Sequence, residues 1–317
     1  MNAAIVFNPV AGTEGSLRGA QKVDWAAEAL RAAGWTVAVM RTRQPGQMSQ
    51  MAAESLAHGA EAVFAAGGDG TVGAVAHALA GTACVMGVLP IGTANVWATE
   101  LGLGGRLRSP EDVRRCIADQ LAGTVRSVDM GRCGDRNFLL WAGVGLDAHV
   151  LSRVEPRPEL GKRFGNFYVL AAGLVGALDY RGDLMTLRSE SGEISGTKLL
   201  AVITNVRLYA GTQADSMMDP AARADDGQLA LVTMNGESYF DSLVQLTRYR
   251  LGGHLTHPSV QKLTGRAFEI ELGRTLLLQL DGEVVGPVDR VSLSVWPLAL
   301  KVFVPRKPLP IFQESGS

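Results

Sequence analysis

Three short segments carry the residue types from which anion-cradling turns are built: Gly67-Gly68-Asp69-Gly70-Thr71, Asn8-Pro9-Val10-Ala11-Gly12 and Pro90-Ile91-Gly92-Thr93-Ala94-Asn95. The first follows directly on the apolar run 62–66, and a helical pattern starts at about Thr71. A strand that passes through glycines into a helix leaves unpaired N–H groups facing the turn, which suits phosphate oxygens. Thr71 either caps the helix or donates its hydroxyl to the ligand. Asp69 would repel a phosphate at direct contact, so in this reading it holds Mg2+ or a water, or accepts a proton. The plain alternative is a tight turn whose aspartate is only a cap. The other two turns are each ordinary loop punctuation, but all three occupy equivalent strand ends. The spacing is neither that of a Gly-x4-Gly-Lys phosphate loop nor that of a dinucleotide G-x-G-x-x-G.

Other chemistries find less support. His58, His77, His149, His254 and His257 do not gather into a metal motif, and Pro258 after His257 favours a loop. Ser16 has no visible triad partners. The three cysteines, Cys84, Cys116 and Cys133, lack zinc or redox spacing and point to a reducing compartment.

The elements that must position these turns follow from periodicity. Apolar runs at 3–7, 35–40, 62–66 and 84–89 alternate with helical patterns at 18–33, 48–58 and 71–79, and a turn at 90–93 leads into another helix, the signature of a parallel α/β sheet. Beyond Ser127 the texture changes. Runs at 138–142, 199–204, 229–234, 268–272, 276–280 and 291–295 are separated by polar or glycine-containing turns. Only two helices interrupt them, at 166–178 and 239–250, so the second half reads as mainly antiparallel, with a sandwich as the candidate architecture. The expected domains are 1–127, completed by about 296–317, and 128–295, with 313–317 as a frayed tail.

Composition sets outer limits. The chain of 317 residues has a net charge of −1, which gives no long-range attraction to nucleic acid. Its 38 glycines exceed the usual ~7% of a chain without a collagen period. The opening segment reaches Asn8-Pro9 too soon for a secretory leader. The longest apolar stretch, 13 residues at 166–178, is short of the ~20 that a membrane helix needs. Membrane contact is therefore expected to be peripheral. Oligomerisation is left open as a homo-oligomer or none, because an exposed strand edge and a subunit contact look alike in one sequence.

Together with Gly143-Val144-Gly145-Leu146-Asp147, Asp225-Asp226-Gly227 and Asp281-Gly282-Glu283, the three turns make the chain resemble the diacylglycerol kinase catalytic-domain family over nearly its whole length. That family includes bacterial diacylglycerol and related lipid kinases and the sphingosine kinases. The ordered set is specific, although Gly-Gly-Asp-Gly-Thr alone also occurs in NAD kinases and related sugar kinases. The resemblance implies a Rossmann-like α/β domain that binds ATP, a C-terminal antiparallel β-sandwich, and a cleft where a lipid hydroxyl meets the γ-phosphate. It also implies that the last segment, 296–305, returns to the first domain.

Carried over by motif, Asn8, Pro9, Val10, Ala11 and Gly12 lie around ATP, as do Gly67, Gly68, Asp69, Gly70, Thr71, Val72 and Gly73, and Thr93 with Asn95. Thr42, just after the second strand, matches a threonine that also contacts the nucleotide. Glu283 matches the family's general base. Asp226 matches an aspartate that holds structural Mg2+ in some bacterial relatives, with main-chain carbonyls that here belong to Arg223 and Gln228. The position after Asn95 is often acidic in the family and is Val96 here, which alters the polar network around the metal.

The expected activity is phosphoryl transfer from ATP to a lipid alcohol such as diacylglycerol. Such a reaction depends on alignment and charge neutralisation, and a carboxylate can take the hydroxyl proton as attack proceeds. Glu283 is given that role and Asp69 is its rival. Asp147 is expected to hydrogen-bond the substrate head group. The plainer readings are a hairpin turn with solvated acids for Glu283, a strand-end turn for Asp147 and an exposed turn for Asp226. Lys162, Arg163, Phe164, Phe167 and Tyr168 are a candidate lipid-facing rim, and the helix 166–178 a candidate wall for acyl chains. The expected location is the cytoplasm, at the inner membrane face. An enzyme of NAD kinase type and a non-catalytic lipid or nucleotide sensor remain as alternatives.

Overall fold

The computed structural model describes residues 1–9, 15–42, 46–105, 107–154, 180–209 and 217–313. The predicted roles of Val10, Ala11 and Gly12, the rim at 162–168 and the helix 166–178 lie outside these residues. Two compact units emerge: Met1–Val128 with Leu298–Phe312, and Asp129–Pro297 with Gln313.

The first unit is built from strands β1 (Asn2–Phe7), β2 (Thr36–Arg41), β3 (Ala62–Gly67) and β4 (Val85–Pro90), joined by helices α1 (Gly15–Ala32), α2 (Gln47–Ala57) and α3 (Asp69–Leu79). Two further helices follow, α4 (Val96–Glu100) and α5 (Pro110–Leu121). The strands are parallel in the order β2-β1-β3-β4. Because β1 has β2 on one side and β3 on the other, the crossovers run in opposite directions and place helices on both faces. α1 packs on α5, and α2 on α3. β1, β3 and β4 are almost wholly buried, as a sheet covered on both faces requires.

β4 continues into the sheet through Lys301 and Val302, which pair with Val85 and Met86. Phe303 stacks on Phe64 with ring centres 5.7 Å apart. Further along β4, the Gln120 amide of α5 takes over the pairing: Val88 N–H donates to its Oε1 at 2.9 Å, and its Nε2 donates to the Val88 carbonyl at 2.9 Å. α5 is absent from the apolar-run reading, although its start is written in the sequence. Ser109 accepts the Asp112 N–H, Asp112 accepts the Ser109 N–H, and Pro110 occupies the first turn.

The second unit contains β5 (Thr124–Cys133, entering from the first unit), β6 (Arg136–Phe138), β7 (Trp141–Gly145), α6 (Leu146–Val154), β8 (Asp183–Ser189), β9 (Gly192–Thr204), β10 (Leu229–Asn235), α7 (Tyr239–Arg250), β11 (Val260–Gly265), β12 (Ala267–Leu280) and β13 (Glu283–Val304, leaving for the first unit). The two long strands β9 and β12 organise it. Each pairs with β8 along one half and with β7 along the other. The faces so formed enclose a core that includes Phe138, Met185, Ile203, Leu231, Phe268 and Leu278. The runs 268–272 and 276–280 are therefore one strand, with a register shift between Glu271 and Leu276. The run 138–142 is instead two strands, broken at Leu139 and Leu140. The hairpin partner β8 went unread because its residues Asp183–Ser189 mix polar and apolar types.

Candidate functional site

In the first unit the carboxyl ends of four parallel strands share one edge. Phe7 is in register with Arg41 and Ala66, and Gly67 with Pro90. Asn8 and Pro9, Thr42, Gly67–Gly68 and Ile91–Asn95 are thereby brought together, with Thr42 N–H donating to the Phe7 carbonyl at 3.0 Å. This edge includes the point where the strand order reverses, between β1 and β3, which is where α/β sheets receive their ligands.

Two of the turns are in backbone contact. A Cβ on Gly92 would lie 2.3 Å from Gly68 Cα, and one on Gly67 would lie 2.2 Å from Thr71 Oγ1. The N–H groups of Ile91 and Gly92 both donate to the Gly67 carbonyl at 3.2 Å. Asn95, at φ 52°, closes its own turn: its Oδ1 accepts the Gly92 N–H at 3.0 Å and its Nδ2 donates to the Gly92 carbonyl at 2.9 Å. Thr93 is exposed at the tip, Thr71 and Val72 are buried, and Gly70 is exposed.

α3 starts at Asp69 rather than at Thr71, so Asp69 and Gly70 belong to its first turn. The half-buried Asp69 carboxylate accepts the Trp97 N–H at 3.2 Å, which makes it the cap of the neighbouring helix α4. Burial pushes its carboxyl up, while the backbone N–H groups of Val96, Trp97 and Asn95 pull the other way. Val96 is buried and contributes no charge here.

The second unit holds Glu283, Asp147 and Asp226. Asp281 and Gly282, both at positive φ (49° and 86°), form a two-residue turn that pairs Leu280 with Glu283. Asp-Gly is the pair that such a type I′ turn favours. Glu283 is the exposed first residue of β13. Asp281 is no solvated acid. Its Oδ2 accepts Leu139 N–H at 2.7 Å, and its Oδ1 accepts Leu140 and Trp141 N–H at 2.7 and 3.1 Å. This carboxylate occupies the break between β6 and β7, which explains why the run 138–142 does not form one strand. Asp281→Asn, whose αL backbone is tolerated, turns an amide against the Leu139 N–H. Urea denaturation is expected to show a loss of about 2 kcal/mol.

Asp147 sits in the first turn of α6, half-buried, with Oδ2 accepting from Gln279 Nε2 at 3.0 Å and from Tyr209 Oη at 3.1 Å. Its Oδ1 is buried without a hydrogen-bond partner among the described residues. Burial pushes this carboxyl up, against the pull of its donors Gln279, Ala148 and Tyr209. Gln279 and Tyr209 escaped the sequence reading. The signal for Gln279 was a lone polar residue in Leu276-Leu277-Leu278-Gln279-Leu280.

Asp226 lies in a turn where its Oδ1 accepts the Gln228 N–H at 2.9 Å. A cavity of about 140 Å3 is lined by Asp219, Arg223, Asp226 and Gln228 among others. Burial, then the neighbouring Asp225, raises the Asp226 carboxyl. The Arg223 guanidinium turns back onto the carbonyls of Pro220 and Ala222. The half-buried Asp226 carboxylate on this cavity is the kind of hard oxygen ligand that a divalent cation takes. No set of three His, Cys, Asp or Glu side chains arranged for a metal occurs among the described residues. His254 Nε2 instead bonds the Met217 carbonyl at 2.7 Å, and His257 Nδ1 bonds Ser259 Oγ at 2.7 Å. Burial pushes the Cys84 thiol up to about 11 and the Cys116 thiol up to about 12, so neither is a poised nucleophile.

Residues 2–133 match the diacylglycerol kinase catalytic domain, and residues 142–304 match the YegS C-terminal NAD kinase beta sandwich-like domain. The chain is 29% identical over 280 residues to "Probable lipid kinase YegS-like" of Klebsiella pneumoniae, covering 87% of this chain and 89% of the relative. It is 28% identical over 310 residues to the protein of the same name from Cronobacter sakazakii, covering 95% of each. A diacylglycerol kinase crystal structure from Bacillus anthracis superimposes with a TM-score of 0.68 at 17% identity, covering 96% of this chain and 97% of that one. An NAD kinase from Archaeoglobus fulgidus in complex with ATP gives 0.55 at 14% identity, covering 98% and 96%. At these identities the two structures attest the fold alone: an α/β domain followed by a β-sandwich-like domain.

Proposed function

Since the chain belongs to the lipid kinase family that joins a diacylglycerol kinase catalytic domain to a YegS C-terminal β-sandwich-like domain, we propose that it transfers the γ-phosphate of ATP to a lipid hydroxyl, with diacylglycerol or a related lipid alcohol as acceptor. The observation that carries this reading is the convergence of Asn8-Pro9, Thr42, Gly67-Gly68 and Gly92–Asn95 at one sheet edge, with glycines where no Cβ fits. The start of α3 at Asp69 adds the N–H groups of a helix first turn to this edge, and these suit a polyphosphate.

In this mechanism the first unit binds and orients ATP, and the rate comes from alignment and charge neutralisation rather than from covalent help. Val10, Ala11, Gly12, Gly70, Thr71, Val72, Gly73 and Thr93 complete the proposed nucleotide set. Asp69 has the role of holding α4 and the turn at 90–95 against its own turn at 67–71, since its carboxylate is committed to the Trp97 N–H. Glu283 accepts the proton of the lipid hydroxyl as the oxygen attacks the γ-phosphorus; the P–O bond to ADP breaks and the proton stays on the carboxylate until solvent removes it. Asp147 bonds the head group through its buried Oδ1. Mg2+ accompanies ATP as part of that substrate. A second, structural Mg2+ would be held by the Asp226 carboxylate with the carbonyls of Arg223 and Gln228, where it would supply fixed positive charge to the turn.

No helix among the described residues is long and apolar enough to cross a membrane, which is compatible with peripheral action at the inner face of the membrane. The test is a partition experiment: purified protein, γ-labelled ATP, Mg2+ and either a total lipid extract or NAD. Label is expected in the organic phase, on a species that mass spectrometry identifies. Label confined to the aqueous nucleotide pool would replace this reading with an NAD kinase, and no transfer to any acceptor would leave a non-catalytic binder.

A further inference from the structure

Gln279, one residue before the end of β12, is 1% exposed and belongs to no motif that identifies the family. Its amide sits only one way round. The Gly282 N–H, 2.9 Å away, can only donate, so it requires Oε1. That turns Nε2 toward Asp147, whose Oδ2 accepts it at 3.0 Å. The arrangement also depends on the strand behind it: a Cβ on Gly143 would lie 1.8 Å from Asp147 Oδ2 and 2.8 Å from Gln279 Nε2. Tyr209 Oη donates to the same Oδ2 from another segment, and its ring lies 4.9 Å from that of Trp141, so the acceptor is fixed from two directions.

We propose that Gln279 is a positioning residue: its single amide ties the Asp147 carboxyl to the backbone of the hairpin that presents Glu283. The inference rests on the reading of Glu283 as the base and Asp147 as the head-group ligand, and it adds the link between them. Asp281 anchors the hairpin through the N–H groups of Leu139, Leu140 and Trp141, and Gln279 anchors it on the next residue through Gly282. With both anchors in place, Glu283 keeps a fixed offset from Asp147, so a head group on one acid brings its hydroxyl to the other. A displacement of about 1 Å in such a pair lowers turnover by about 10²-fold.

The test uses the full chain with Mg-ATP and whichever lipid the partition experiment identifies. Gln279→Leu is expected to lower kcat by about 30- to 100-fold with KM for ATP within about twofold. On top of Glu283→Gln, the same change is expected to cost less than about threefold, because no base remains to be positioned. A merely structural residue would give the same loss in both backgrounds, and that additivity would overturn the proposal. Gln279→Glu keeps the shape and the acceptor for Gly282 but loses the donor to Asp147. It is expected to show the same split and carries the test if the leucine variant does not fold. Full turnover in the Gln279 variants beside an impaired Glu283→Gln would overturn the positioning role alone. Full turnover in Glu283→Gln would overturn the base reading and this inference with it.

Discussion

Glu283→Gln is expected to lower kcat by about 10²- to 10⁴-fold while the affinity for Mg-ATP stays within about twofold. The substitution keeps the side chain's shape and removes only its ability to take a proton. Glu283 is exposed and begins β13 directly after a turn whose conformation is set by Asp281 and Gly282. No packing is therefore lost, and the thermal midpoint should move by no more than a degree or two. Single-turnover transfer of labelled phosphate, measured alongside fluorescent-nucleotide binding, separates chemistry from binding. Turnover within threefold of the wild type would remove Glu283 from the mechanism. A loss of nucleotide affinity equal to the loss of turnover would assign it to binding instead.

Gly92→Ala is the second large effect, and it strikes the other half of the machinery. The new Cβ would sit 2.3 Å from Gly68 Cα and 2.8 Å from both Gly68 N and Asn95 Oδ1. Two of these are backbone atoms, with no flexible side chain to swing aside. The turns must separate, which breaks the bonds from Ile91 and Gly92 to the Gly67 carbonyl and loosens the Asp69 cap on α4. A cost of about 3 kcal/mol in stability is expected, together with loss of measurable Mg-ATP binding. Gly253→Ala is the control, since its Cβ would meet only the Arg248 carbonyl, at 3.9 Å. An unchanged dissociation constant in Gly92→Ala would show that the paired turns do not form the nucleotide site.

The βα series of the first unit was legible because each strand is centred on a short apolar run and each helix carries its own period. Helix starts were harder: α3 begins two residues before its apolar pattern, since Asp69 and Gly70 enter the first turn without joining the core. What the acids do was least legible, because a carboxylate's role depends on what faces it. Asp69 meets the Trp97 N–H 28 residues away, and Asp281 meets the Leu139 N–H 142 residues away. No local pattern carries that pairing. The break at Leu139 and Leu140 was hidden for the same reason, since the run from Phe138 to Ala142 is apolar throughout and the acid that divides it lies in the distant turn between β12 and β13.

The amide of Gln120 has a consequence for solubility. Both polar groups of Val88 that point away from β3 are already bonded to it. A foreign strand approaching that rung finds no free donor or acceptor, so one side chain guards this margin of the sheet against the edge-to-edge growth that leads to aggregates.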